Sequence, residues 1–333
     1  MMPDFRKIFF DVPTLWDFHF LRSMHRILLF CYLLFRCLAS PAQSGVSAWM
    51  SMPDADSTAH VWFRHTALGA GRPQRAYVAV ETTGLFKLYV NEYNVGTAAF
   101  YPAHTERSDS LVTTILDVTR YLRADTNVIA LYYAPAFPHA TERQLAVTFY
   151  GWDADGLPFC HADAGEWLCR PANTRWKVPT GEVVDGRGHD PQWKAAHCDG
   201  ALWRPVQSGP ARASWSDYGG RALSAWPMVT FRRGYRYFDR VGSGVAYAFG
   251  TGFCGRVRLT LRNAVRGDTI HVGPVDYICN GRLDEQAYPA FHIGNYRRVY
   301  VSGSPRFRID WITDVEAVEI APVSWSDRYH FHP

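Results

Sequence analysis

The chain has 333 residues, a length that accommodates two ordinary domains with hydrophobic cores. Its formal net charge of +4 is small, and its lysines and arginines form no continuous block, which argues against binding to nucleic acids or anionic membranes. The aromatic content of 15% is typical of a β-rich fold. Aromatic rings also provide flat surfaces on which sugars can stack.

An apolar segment near the N terminus predicts a secretory signal peptide. Residues 27–35 read ILLFCYLLF, a run too short to span a membrane, and Ser40-Pro41-Ala42 follows as a small-x-small cleavage site. We therefore expect residues 1–43 to form an N-terminal extension and signal peptide. The mature protein is then expected to be secreted or periplasmic.

The translation start is open between Met1 and Met24. The residues before Met24 carry three aspartates and many aromatics, which do not belong to a signal peptide. A lipoprotein signal on Cys37 is an alternative interpretation, although Phe35-Arg36 does not fit the residues that should precede such a cysteine.

Five cysteines remain after removal of the predicted signal peptide, and an exported compartment permits disulfides. Cys160 and Cys169 are the nearest local pair, and Cys254 with Cys279 is a second candidate pair. Cys198 is then left without a partner.

From about residue 58 the apolar residues recur with a period of two, which indicates β-strands. The first set of predicted strands covers residues 75–82, 86–90, 111–118, 127–133 and 144–150. Residues 91–96 and 153–156 read as turns because they are rich in Asn, Asp and Gly.

Residues 151–215 hold six tryptophans among many Gly, Pro and Asp, which predicts short strands and long loops, with a linker at Ser208-Gly209-Pro210. Further strands are predicted at residues 245–250, 256–261, 268–273, 297–301, 306–311 and 315–320. The fold class is therefore all-β, with a jelly-roll domain at residues 44–209 and a second β-sandwich at residues 210–333.

Three segments of the first half resemble the galactose-binding-like jelly roll of glycosidase accessory domains. They are WFR at 62–64, AYVAVETTGLFKLYVNEYNVG at 76–96 and DVTRYLRADTNVIALYY at 117–133. These domains carry a framework arginine, a YVNG hairpin and a segment of the form DVT-x-x-L. Here Glu92 stands where the hairpin usually has glycine, the residue that readily adopts positive φ.

Further segments are similar to the N-terminal β-domains of bacterial α-L-rhamnosidases. They are WKVPTGEVVDGR at 176–187, WRPV at 203–206 and the strand pair within 247–301. In that family a helical (α/α)₆ barrel follows and carries the catalytic carboxylates. Because no such region follows here, the resemblance implies a chain without the family's catalytic residues.

The function expected from this resemblance is that of a secreted, non-catalytic carbohydrate-binding or accessory protein. The implied partners are a glycan, including rhamnose-containing glycans, and a separate catalytic glycosidase. Whether the chain is an enzyme stays open, since a rhamnosidase-like glycoside hydrolase is one alternative. The other alternative is a structural or partner-docking protein without glycan affinity.

The candidate sugar-binding residues lie in the tryptophan-rich region. Trp152 and Trp193 offer stacking surfaces and Arg187 offers directional donors. The alternative is that the tryptophans fill the seam between the two sandwiches. Glu182 and Asp185 are further candidates, but we expect them to be structural, bonded to the backbone or to Arg187.

A metal site has weak support in the sequence. Asp153 and Asp155, followed by Gly156, loosely resemble a Ca²⁺ loop without the full EF-hand spacing. The resemblance to sugar-binding jelly rolls leaves a structural Ca²⁺ open. His330 and His332 are close enough in sequence for zinc, but such pairs more often belong to an ordinary tail.

Overall fold

The computed structural model describes residues 47–82, 84–101, 112–135, 145–212 and 225–324, so the predicted signal peptide lies outside the described residues. The described chain is built of β-strands joined by loops and short 3-10 turns, which confirms the predicted all-β class. Within these ranges we find no helix with the length and hydropathy that a membrane span requires.

The first region contains thirteen described strands. They are β1 (Ser47–Ser51), β2 (Ala59–Leu68), β3 (Arg75–Thr82), β4 (Leu85–Val90), β5 (Tyr93–Asn94), β6 (Val112–Asp117), β7 (Thr126–Ala134), β8 (Leu145–Trp152), β9 (Pro158–His161), β10 (Leu168–Trp176), β11 (Glu182–Asp185), β12 (Arg204–Pro205) and β13 (Gln207–Arg212).

Eight more described strands follow in the second region. They are β14 (Ala225–Gly234), β15 (Tyr237–Val241), β16 (Gly244–Arg262), β17 (Thr269–Val272), β18 (Val275–Ile278), β19 (Asp284–Ala287), β20 (Gly294–Gly303) and β21 (Ile312–Ser324).

The strands form two sheets among the described residues. The smaller sheet has the order β13-β1-β8-β3-β6, with β9 paired to β8. The larger sheet has the order β14-β21-β16-β20-β17-β18-β11-β10-β2-β7-β4-β5, with β12 attached to β10 and with β15 and β19 attached to β16. The parallel pairing of β11 with β18 makes the larger sheet continuous through both regions.

The core of the first region lies between the two sheets, and β7 is covered on both of its faces. Ile129 and Leu131 face the core between the sheets. Val128 and Ala130 alternate with them and face a second cluster on the outer side of the sheet, which is largely aromatic. Since successive strand residues point to opposite faces, a strand buried on both sides is expected to carry a continuous apolar run, as β7 does from Val128 to Ala134.

The core of the second region is built mainly from β16, β17, β18, β20 and β21. On β16, Val257, Leu259 and Leu261 alternate inward with a period of two. Trp311 closes this core from the 3-10 turn Ile309–Trp311 that precedes β21.

Three sequence-based assignments need correction. The strand predicted at 306–311 is absent, and residues 309–311 form a 3-10 turn. The two strands predicted at 245–250 and 256–261 are one long strand, β16, whose pairing with β20 shifts register between Ala248 and Phe253. The predicted linker at Ser208–Pro210 lies within β13, which pairs with β1, and the division into two domains at residue 209 stays a prediction.

The hairpin between β4 and β5 forms without glycine. Val90 pairs with Tyr93, so Asn91 and Glu92 are the two turn residues, with φ of 50° and 74°. Asn91 holds the turn by donating from Nδ2 to Tyr121 O at 2.9 Å and accepting from Val128 N at 2.9 Å. Positive φ is therefore sustained by a buried asparagine, a residue that tolerates this region better than most.

Candidate functional site

The two β regions meet at a buried carboxylate, Glu182, the first residue of β11, which has no exposed surface. Its carboxylate accepts backbone N–H bonds from Ala290 at 2.8 Å, Phe291 at 2.9 Å and His292 at 2.8 Å. Burial raises the pKa of Glu182, while these three N–H groups and Arg256 act in the opposite direction. Glu182 therefore fixes a loop of the second region against the first.

A buried histidine packs beside this carboxylate. His60 on β2 lies with Nδ1 2.6 Å from Thr174 Oγ1 and 3.9 Å from Glu182 Oε1. Its ring centroid is 4.8 Å from that of Trp176 and 5.2 Å from that of Phe291, both edge-on. Burial, assisted by Lys87, lowers the pKa of His60 to about 3, so this ring is neutral at physiological pH.

Lys87 on β4 reaches the same seam from the outer face of the larger sheet. Its Nζ lies 5.3 Å from the ring centroid of Phe291 and 5.9 Å from that of Tyr132. Burial and then the charge of Arg256 lower the pKa of Lys87 to about 7. Lys87 is therefore a half-buried amine that is only partly charged near neutral pH.

Arg256 on β16 is the second cation of the seam and is only 2% exposed. Its guanidinium carbon lies 5.5 Å from the ring centroid of Phe100 and 5.6 Å from that of Tyr288. Nε donates to His292 O at 3.3 Å, whereas Nη2 is buried without a hydrogen-bond partner among the described residues. A buried guanidinium N–H with no acceptor is costly unless a ligand or water supplies one.

Lys194 is the third cation, placed by the 3-10 turn Pro191–Lys194. Its Nζ lies 4.2 Å from the ring centroid of Tyr89, the β4 residue two positions beyond Lys87. Burial lowers the pKa of Lys194, and the charge of Glu92 opposes that shift.

We call the set Lys87, Tyr89, Lys194, Arg256 and Tyr288 the cationic crevice. Its three cations lie against aromatic ring faces, and the charges of Arg256 and Lys194 both act on Lys87. Such an arrangement can offer N–H donors to the oxygen atoms of a ligand, with aromatic rings beside them.

Trp193, a predicted stacking residue, is buried instead. It stacks on Trp62 with ring centroids 5.2 Å apart and an interplanar angle of 7°. The guanidinium carbon of Arg170 lies 4.8 Å from the ring centroid of Trp62 and 4.9 Å from that of Trp203. Trp193 therefore belongs to the largely aromatic cluster on the outer face of the larger sheet.

Trp152 is exposed, but it lies at the end of β8 in the smaller sheet, away from the strands that form the cationic crevice. Arg187 and Asp185 bind each other, with Nε 2.9 Å from Oδ1 and Nη2 2.8 Å from Oδ2. This pairing lowers the pKa of Asp185. The structure therefore brings Asp185 and Arg187 together, but it does not gather the predicted sugar-binding residues at one place.

The calcium candidates form an ordinary turn. Asp153 Oδ1 accepts N–H bonds from Asp155 at 3.0 Å and Leu157 at 2.8 Å, which closes the loop after β8. Asp155 is exposed. Calcium binding by these residues stays a prediction.

The two predicted disulfides are not formed, because all five described cysteines are free thiols. Cys160 lies on β9 of the smaller sheet, whereas Cys169 is buried on β10 of the larger sheet. Cys254 is exposed on β16, and Cys279 is buried in the second core.

None of the five residues of the cationic crevice was predicted from the sequence; they are Lys87, Tyr89, Lys194, Arg256 and Tyr288. A signal exists for the first two, since FKLYV at 86–90 places Lys87 and Tyr89 on the face opposite Phe86, Leu88 and Val90. Arg256 carries no such signal, because its position beside Lys87 depends on how the second region packs on the first.

A separate cavity of about 240 Å³ lies beside the start of β2. Met52, Val61, Phe63 and Tyr133 line it, with Asp54 as the charged residue of the lining. This volume is below the range of roughly 300–1,000 Å³ that is typical of ligand pockets. We place the candidate site in the cationic crevice because it gathers three cations, one of which has a buried N–H donor without a partner among the described residues.

No protein-family model matches the sequence, and no curated protein matches it either. Solved structures do match. An α-L-rhamnosidase from Dictyoglumus thermophilum has a TM-score of 0.70 at 16% identity over 83% of this chain and 36% of its own. The α-L-rhamnosidase from Aspergillus terreus also has a TM-score of 0.70 at 16% identity, over 85% of this chain and 37% of its own.

A third structure, Streptomyces avermitilis α-L-rhamnosidase complexed with L-rhamnose, has a TM-score of 0.66 at 19% identity, over 79% of this chain and 28% of its own. The chain thus spans 28–37% of the length of these three enzymes. At these identities the likeness concerns the fold. The chain therefore shares its β-sheet architecture with about a third of several α-L-rhamnosidases.

Proposed function

We propose that the chain is a carbohydrate-binding or accessory protein and that it binds glycans in the cationic crevice. The likeness in fold to α-L-rhamnosidases supports this proposal, and one of those proteins has been solved with L-rhamnose. Rhamnose-containing glycans are accordingly the first class to test.

The observation that carries the proposal is the unpartnered Nη2 of Arg256, buried next to the half-buried Lys87 and the ring of Tyr288. Sugars present hydroxyl oxygens at their edges and C–H groups on their faces. Guanidinium and ammonium groups can donate to those oxygens while aromatic rings pack against the C–H faces. Because cations dominate the crevice, sugars that carry a carboxylate are expected to bind more tightly than neutral ones.

The same geometry favours binding over hydrolysis. Glycoside hydrolysis uses two carboxyl groups about 5–10 Å apart on either side of the scissile bond. Two carboxylates act on the lysines of the crevice. Glu182 already accepts three backbone N–H groups with its two oxygens, and Glu92 is an exposed residue of the turn between β4 and β5. We therefore propose that the chain is not catalytic. The predicted signal peptide implies that it acts outside the cytoplasm, and we propose that it assists a separate glycosidase there.

A glycan array probed with the purified full chain tests this function. The array should include rhamnose-containing oligosaccharides with and without uronic acids, at low and high salt. We expect selective retention of rhamnose-containing glycans, with the acidic members weakened by salt because screening reduces charge attraction. Absence of binding to every glycan would overturn the proposal.

One further feature favours a docking function alongside glycan binding. Apolar and aromatic side chains are exposed on β15 and at Tyr300 of β20, whose hydroxyl donates to Val241 O at 3.2 Å; those of β15 are Tyr237, Phe238 and Val241. Exposed apolar groups gathered on one region of a surface are typical of protein interfaces. Co-purification of a glycosidase with the wild-type chain, and its loss in Tyr237→Ser/Phe238→Ser, would support docking.

A further inference from the structure

Three metal-ligating side chains converge where the two sheets of the first region approach each other. His65 lies on β2 of the larger sheet, His161 ends β9 of the smaller sheet, and Glu166 belongs to the 3-10 turn Ala164–Glu166 between β9 and β10. Glu166 Oε2 lies 3.8 Å from His65 Nε2 and 3.8 Å from His161 Nδ1. All three ligand atoms lie within 4.8 Å of one another.

A second observation, on His65, also indicates a ligand at this place. His65 is only 5% exposed, and its Nε2, the atom that faces Glu166 and His161, has no hydrogen-bond partner among the described residues. Its other nitrogen, Nδ1, lies 3.3 Å from the backbone oxygen of Glu166. A histidine that binds metal usually donates its second N–H to such a carbonyl, which leaves the first nitrogen free to coordinate.

The aromatic neighbours hold both rings in place. His65 stacks on Trp167 with ring centroids 5.4 Å apart and an interplanar angle of 29°. His161 stacks on Phe149 at 5.9 Å and 16°. Burial lowers the pKa of His65, which favours the neutral ring, the form that binds metal.

We propose that His65 Nε2, His161 Nδ1 and Glu166 Oε2 bind a zinc-class divalent cation that clamps β2 to the β9 segment. Two imidazoles and one carboxylate suit Zn²⁺, whereas Ca²⁺ and Mg²⁺ prefer sites made only of oxygen ligands. Ligands about 2.0–2.1 Å from a tetrahedral ion lie roughly 3.3 Å apart, so small shifts of the half-exposed Glu166 and His161 suffice to close the site. Water can supply the fourth ligand from the exposed side.

Titration calorimetry of the untagged, chelator-treated full chain with ZnCl₂ tests this site. We expect one equivalent to bind and to raise the thermal unfolding midpoint, since a ligand that binds the folded state stabilises it. His161→Ala and Glu166→Gln each alter a half-exposed side chain, so both variants should fold. Each should bind Zn²⁺ at least about tenfold more weakly and lose the thermal shift.

Two controls separate this site from adventitious zinc. His330→Ala/His332→Ala changes only histidines outside the described residues and should bind as the wild type does. The Co²⁺-loaded chain should lack a thiolate charge-transfer band, because Cys160 is not among the proposed ligands. The proposal is overturned by no Zn²⁺ binding, by unchanged affinity in both site variants, by loss of binding in the tail variant, or by a thiolate band.

Discussion

Glu182 shows how one side chain can join two regions of a chain. In sequence it stands in GEVVDGR, where it could equally be a surface acid, and the sequence predicted only that it bonds to the backbone or to Arg187. The structure places its carboxylate on three successive N–H groups at residues 290–292, more than a hundred positions away. A carboxylate so bonded is replaced poorly by any uncharged group, because its partners are buried donors.

Glu182→Gln tests this role. The amide keeps the size of the side chain but sets an NH₂ group against backbone donors, so at least one buried N–H loses its acceptor. We expect the free energy of unfolding to fall by about 3 kcal/mol, measured by chemical denaturation. Asp284→Asn, which removes an exposed ion pair with Arg262, is the control and should cost less than about 1 kcal/mol. Equal losses in the two variants would refute the role given to Glu182.

Lys87 yields a pH-dependent prediction. Its pKa is lowered from 10.5 to about 7 in the folded chain. Between these two values the unfolded state binds more protons, so this residue makes the free energy of unfolding rise with pH. Lys87→Met lacks the titrating amine.

The wild type should therefore gain stability relative to Lys87→Met as the pH rises from about 6 to about 9, measured by denaturation at each pH. Arg187→Met, which alters an exposed cation, should show a nearly constant difference from the wild type. A constant difference for Lys87→Met would mean that its pKa is not lowered.

At the scale of elements, the parallel pairing of β11 with β18 connects the two regions. This pairing requires the backbone before β11 to approach the backbone before β18 closely. Gly181 precedes β11 with φ of 116°, and a Cβ built on it would lie 1.9 Å from Pro274 O. Pro274 stands immediately before β18. Glycine is thus required here both by backbone conformation and by space.

Gly181→Ala should lower the free energy of unfolding by about 3 kcal/mol, because the backbones must separate or strain. Gly200→Ala is a matched control, since its Cβ would meet nothing within 4 Å and its φ is not in the positive region. It should change the stability by less than about 0.5 kcal/mol. Thermal or chemical unfolding of both variants measures these changes in stability. An unchanged stability of the Gly181→Ala variant would argue against the β11–β18 pairing.

Strands were predictable where apolar residues alternate or form a continuous run. The alternation in RAYVAVET predicts β3, and the structure has that strand at Arg75–Thr82. RFRIDW alternates as well, yet residues 309–311 turn so that Trp311 enters the second core. A period-two pattern therefore indicates which side chains are buried, but it does not establish that the segment is a strand. A 3-10 turn can bury a single aromatic residue within the same pattern.

At the scale of the whole molecule, the larger sheet runs through both regions, and the candidate site lies where they meet. The sequence predicted two β regions and a carbohydrate-related architecture, because strand patterns and hairpins are local features. It could not predict the cationic crevice, since Lys87, Lys194 and Arg256 come from three separate elements. Only the packing of residues 288–292 against β4 and β7 brings those charges together.

The most direct test of this account is calorimetric titration of wild type, Lys87→Met and Arg187→Ala with the glycan that the array selects. If the cationic crevice binds the glycan, Lys87→Met should weaken the affinity more than about tenfold, and Arg187→Ala should stay within about twofold of the wild type. Unchanged affinity in Lys87→Met, or a larger loss in Arg187→Ala, would contradict the assignment of the crevice as the glycan site.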